Sequence, residues 1–165
     1  MKKVCKEKTE AAKCGIFTRI LTAPQLLLNL NPAGRSGLPG TSLTFNATLI
    51  NSGTDTLFLN GAEVSGLPPD LTPDVIPFFL NAPTSLIGGA TWTGDILTVG
   101  ISAHAAANHY VGSLDIIGGP DNMGQDTLVT QFFQVTVVPE PSVYALLMGT
   151  AVFGTGLLVR RRKSL

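Results

Sequence analysis

Cysteine is nearly absent from this chain: there are two, Cys5 and Cys14, both inside a lysine-rich opening stretch. Everything after residue 14 must therefore hold together without an internal disulfide. Two thiols nine residues apart also offer too few ligands for a structural metal. Charge is scarce as well, at 13% of residues, whereas hydrophobic residues make up 44%. That balance excludes a disordered polyelectrolyte and leaves enough apolar side chains for a core. Cations are missing from the middle: between Ile20 and Pro141 nine acids face Arg35 alone. Such a segment repels a phosphate backbone, which removes nucleic acid from the candidate partners. At 165 residues, the chain suits one domain plus tails and is short for a two-domain enzyme.

The cations that do occur are gathered at the two ends. Residues 1–19 hold Lys2, Lys3, Lys6, Lys8, Lys13 and Arg19, a basic leader. A secretory signal would follow this start with seven to fifteen apolar residues. Here Glu7, Glu10, Lys13 and Arg19 interrupt any such run, and Pro24, Gln25 and Asn29 break the next one. The leader is therefore read as a stretch of unsettled status, with its two cysteines as unpaired thiols.

The body, residues 20–137, is expected to be an all-β, immunoglobulin-like antiparallel sandwich. Ser42 to Asn51 alternates Leu43, Phe45, Ala47 and Leu49 with Thr44, Asn46 and Thr48, the period-two pattern of a half-buried strand. Asn51-Ser52-Gly53-Thr54-Asp55 is turn chemistry, and Thr56 to Leu59 is expected to complete a hairpin. Pro68, Pro69, Pro73 and Pro77 predict a long crossing loop over 66–77. Gln25 to Leu30, Phe78 to Leu80, Trp92 to Ile101, Tyr110 to Ile117 and Leu128 to Val137 supply the remaining strands, giving about seven and no amphipathic helix. The stretch from Tyr110 to Val137 is similar to the last two strands of bacterial Ig-like surface modules.

Residues that bear chemistry do not assemble into a catalytic pattern. His104 and His109 are five apart, a spacing that fits neither one face of a helix nor alternate strand positions, and no Glu follows His104 as a zinc protease requires. There is no Gly-x-Ser-x-Gly elbow. Gly118 to Asp126 lacks the ligand spacing of a calcium loop, so Asp121, Asn122 and Asp126 read as an acidic hairpin loop. No catalytic residue, metal site or cofactor is expected. Trp92 and Tyr110 read first as core aromatics, with sugar stacking as their functional alternative.

The end of the chain carries the sharpest pattern. Val138-Pro139-Glu140-Pro141-Ser142 is a rigid, extended segment, because two prolines flanking one residue block both helix and strand. Val143 to Val159 follows as seventeen residues without a charge, the lower limit for a transmembrane helix and about 26 Å long. Arg160, Arg161, Arg162 and Lys163 then form a basic stop that the positive-inside rule keeps cytoplasmic, with the body outside. Leu38-Pro39-Gly40-Thr41-Ser42 is similar to a Gram-positive sortase signal, but it has Ser where Gly is required and reads as a turn into a strand.

Pro-Glu-Pro, a short apolar span and a terminal arginine cluster, in that order, resemble the C-terminal sorting signal of the PEP-CTERM proteins. The resemblance covers Val138 to Leu165. It implies a substrate of an exosortase, a membrane-embedded cysteine-type enzyme, with Pro139, Glu140, Pro141 and Arg160 to Arg162 as recognition positions. It also implies an exported protein of the cell surface or extracellular matrix, found where bacteria make exopolysaccharide or biofilm. The expected partners are the exosortase, the membrane and extracellular polysaccharide, and the expected role is structural or adhesive. A carbohydrate-binding module and an unprocessed tail-anchored protein are the alternatives.

Overall fold

The computed structural model describes residues 25–139. Nine strands and one short helix form two packed sheets. In chain order these are β1 (Leu26–Leu30), β2 (Gly34–Gly37), β3 (Ser42–Asn51), β4 (Leu57–Ser65), β5 (Leu71–Asp74), α1 (Ile76–Asn81), β6 (Ser85–Leu86), β7 (Thr91–Ile101), β8 (Asn108–Gly119) and β9 (Asp126–Val137). One sheet has the order β1-β3-β7-β5 and the other β2-β9-β8-β4-β6. This is an immunoglobulin-like arrangement, in which β1 and β2 lie in opposite sheets, the chain changes sheet after every strand from β1 to β7, and β8 and β9 are consecutive neighbours in one sheet.

The core lies between the sheets and follows from alternation. Leu26, Leu28 and Leu30 of β1, Phe45, Ala47 and Leu49 of β3, and Phe133, Val135 and Val137 of β9 are all buried. Successive strand residues point to opposite faces, so each strand contributes every second side chain. Phe45 and Phe133 meet edge to face across the two sheets at 5.1 Å between ring centroids, a favoured aromatic geometry.

Several expectations need correction. The turn at Asn51–Asp55 does not close a hairpin, because β3 and β4 belong to different sheets. The segment is an arch held by the fully buried Asn51 side chain. Its Nδ2 donates to the Asp55 and Leu86 carbonyls at 2.7 and 2.9 Å, and its Oδ1 accepts the Gly53 amide at 3.0 Å. Phe78 to Leu80 is not a strand but part of α1. Asp74 Oδ1 accepts the Ile76 amide at 2.8 Å, a proline occupies the first turn, and its preset φ favours the helix start. Phe78 is then buried in the core, 2% exposed.

The 66–77 stretch is not all loop, since β5 lies inside it and pairs with β7 with Pro73 opposite Val99. A proline is tolerated there because β5 is an edge strand. The sandwich is also not purely antiparallel: β2 runs parallel to β9. Neither β2 nor β6 shows an alternating apolar pattern in the sequence, and both are formed by pairing with longer strands. The count is therefore nine strands, with β8 and β9 each longer than their expected spans.

Candidate functional site

The expected sorting motif begins where the last strand ends. Strand β9 is twelve residues long, so it runs the full length of the sandwich at roughly 40 Å. Val135 and Val137 point into the core and are 0% and 2% exposed. Between them Thr136 faces outward, with its Oγ1 hydrogen-bonded to His109 Nδ1 of β8 at 2.9 Å. On the other side β2 lines the end of β9, from Gly34 opposite Gln134 to Gly37 opposite Val137. The pairing continues past the strand, because the Val138 amide donates to the Gly37 carbonyl at 3.0 Å.

Gly37 suits this close approach. A Cβ there would lie 2.9 Å from both Ile101 Cδ1 and Thr41 Oγ1. The following Leu38–Thr41 segment is the expected turn into β3, closed by the Thr41 amide and hydroxyl on the Leu38 carbonyl. Gly40 has φ +78° there, a left-handed conformation that favours glycine.

A groove of about 490 Å³ lies at the base of the tail, with Ala107, Asn108, His109 and Thr136 lining it together with Val138 and Pro139. Sequence reasoning missed this groove. In the sequence His104 and His109 read as a loop and strand-edge pair, and the groove neighbour of His109, Thr136, is 27 residues away. Among the described residues, no group of three or more His, Cys, Asp or Glu is placed to hold a metal ion. His104 sits in the exposed β7–β8 loop, where its amide donates to Ser102 Oγ at 3.2 Å. Asp121 caps the β8–β9 hairpin loop by accepting the Met123 amide at 2.9 Å.

The structure does not bring Trp92 and Tyr110 together. Trp92 opens β7 opposite Leu49 in one sheet, and Tyr110 stands opposite Val135 in the other. They lie at opposite ends of the sandwich, separated by the ten-residue run from Trp92 to Ile101, roughly 30 Å of strand. Both are half-buried against the core. The Tyr110 hydroxyl donates to the Ala106 carbonyl at 2.9 Å, and the Trp92 ring lies over Gly94. The two rings form no shared stacking platform.

Of the motif residues, Val138 and Pro139 are described. Glu140, Pro141, the expected transmembrane helix at 143–159 and the basic cluster Arg160, Arg161, Arg162 and Lys163 lie outside the described residues. Among the described residues no helix is long and apolar enough to cross a membrane.

The fold and its tail together define a class: an immunoglobulin-like β-sandwich whose last strand leads directly into a C-terminal sorting segment. Residues 137–163 match the PEP-CTERM protein-sorting motif, which marks an exported protein sorted by an exosortase, membrane-associated at first and then at the cell surface. No curated protein matches the chain significantly. In structure, the chain is similar to WR4, a C. elegans MSP family member, at TM-score 0.39 and 10% identity over 67% of this chain and 97% of that one. It is similar to PapD-like domain 7 of human CEP192 at TM-score 0.42 and 10% identity, covering 85% and 99%. The secreted serine protease VesC from Vibrio cholerae matches at TM-score 0.42 and 17% identity over 66% of this chain, which spans 22% of that protease's length.

Proposed function

We propose that this is a noncatalytic structural or adhesive component of the bacterial surface or extracellular matrix. Its sandwich is exported, held at the membrane by residues 143–159 with Arg160 to Lys163 on the cytoplasmic side, and then processed by the exosortase. One observation carries the reading: the sorting motif at 137–163 starts on the final residue of β9, so the folded body is the cargo of the tail. The scarcity of cations in the body supports a role outside the cell among neutral or cationic matrix components. Polysaccharide is the partner class that this location offers.

The test is to express the full chain beside a Pro139→Ala, Glu140→Ala, Pro141→Ala variant in strains with and without the exosortase. The wild-type chain is expected to lose mass and reach the surface only with the enzyme, and the variant is expected to stay at precursor mass. Equal mature mass and location in all four cases contradict the reading.

A further inference from the structure

The junction between sandwich and sorting motif has no slack. Val137 is 2% exposed in the core, Val138 is still hydrogen-bonded to Gly37, and the motif match begins at residue 137. Sheet pairing and sorting motif therefore overlap by two residues. Five Cα-to-Cα steps, across the four residues Pro139 to Ser142, separate Val138 from the start of the apolar span at Val143. Fully extended they reach about 17 Å at most, and the headgroup layer takes up roughly 5–7 Å of that. An enzyme that reads Pro139 to Pro141 at the membrane surface has the end of the sandwich against it.

That end of the body is suited to contact. Asp55, Asp121 and Asp126 lie at the opposite end, where Gln25 begins the described chain. Among the described loops on the tail side, Asp70 is the only acid. The groove at the tail base is continuous with the sorting segment, since Val138 and Pro139 help to line it. Its rim offers the exposed His109 ring, whose Nδ1 is taken by Thr136, and the exposed Ala107 and Asn108.

Resting on the sorting reading, we propose that this groove is a second contact surface for the exosortase. The enzyme then reads the folded end of the sandwich, at Ala107, Asn108, His109 and Thr136, as well as the linear tail. The alternative is that the end of β9 frays and the enzyme touches the tail alone.

Pulse-chase of the full-length chain in exosortase-positive cells, following precursor to mature mass, separates the two. His109→Ala and Ala107→Trp, the second filling the groove from an exposed loop position, are each expected to slow conversion about tenfold, the loss of one good contact. Thermal melts check that both variants stay folded. Insertion of eight Gly and Ser residues plus one Val after Val138, which preserves Val-Pro-Glu-Pro, is expected to slow conversion as well, because it uncouples body from tail. Wild-type conversion by both groove variants overturns the proposal, as does unchanged or faster conversion of the insertion variant. The Pro139→Ala, Glu140→Ala, Pro141→Ala chain serves as control: if it matures normally, the sorting reading itself fails, and this proposal with it.

Discussion

Asn51 is the only fully buried polar side chain among the described residues, and its hydrogen bonds to Asp55, Leu86 and Gly53 serve one structural task. It ties the arch after β3 to the Leu86 carbonyl of β6, while its backbone pairs with Gly89 and Ala90. Replacing it with Leu keeps the branched shape and the number of heavy atoms, in a somewhat larger side chain, and removes every side-chain bond. The Leu86 carbonyl is then left without its partner in a buried site, and the Asp55 carbonyl and Gly53 amide lose theirs at part-buried positions, a cost of about 2–4 kcal/mol. Urea unfolding of Asn51→Leu should show that loss, and a change below about 1 kcal/mol would show that water replaces the bonds. The sequence marks Asn51 as turn chemistry but not as a bridge between sheets, because its partner at Leu86 is 35 residues away. Arg35 shows the opposite balance. Its Nε is buried without a hydrogen-bond partner, and its guanidinium carbon lies 6.0 Å from the centre of the Phe45 ring. A cation–π gain of roughly 0.5–2 kcal/mol is thus set against an orphan donor costing about 1–3 kcal/mol.

Among the elements, those read correctly are the ones whose own residues state their pattern. Strand β3 alternates over its whole length, so its bounds of Ser42 and Asn51 are legible without any tertiary information. Strands β2 and β6 are four and two residues long and exist only because β9 and β4 offer them an edge. Helix α1 is not legible in the sequence, because Phe78-Phe79-Leu80 is too short an apolar run to distinguish strand from helix. The helix is decided by Asp74 and Pro77 at its start and by burial of Phe78 against β7. At the tail, the β2–β9 strip is the element that matters. Gly37→Val would force a side chain against Ile101, Thr41 and Leu43 and push β2 off β9. The amides of Gln134 and Val138, which bond to the Ala33 and Gly37 carbonyls, should then exchange with solvent at least about tenfold faster, as expected for a local opening. Unchanged exchange at both would mean that β2 does not secure the end of β9.

The whole molecule divides into parts of different character: an acidic, cysteine-free sandwich and two basic ends. The tail motif was legible as a linear string because a sorting enzyme reads it as one. The groove at its base was not, since it needs the β8–β9 register to place His109 beside Thr136. The same scarcity of cysteine with which the sequence opens gives the most direct measurement of the central claim, that the sandwich lies outside the cytoplasmic membrane. Met123 is 82% exposed on the β8–β9 loop, at the end away from the tail. A full-length chain carrying Met123→Cys, with Cys5→Ser and Cys14→Ser, presents a single thiol. Treated with a membrane-impermeant maleimide in cells whose outer membrane alone has been permeabilised, that thiol should label fully before lysis. Labelling that appears only after the inner membrane is broken would place the sandwich in the cytoplasm and contradict the account.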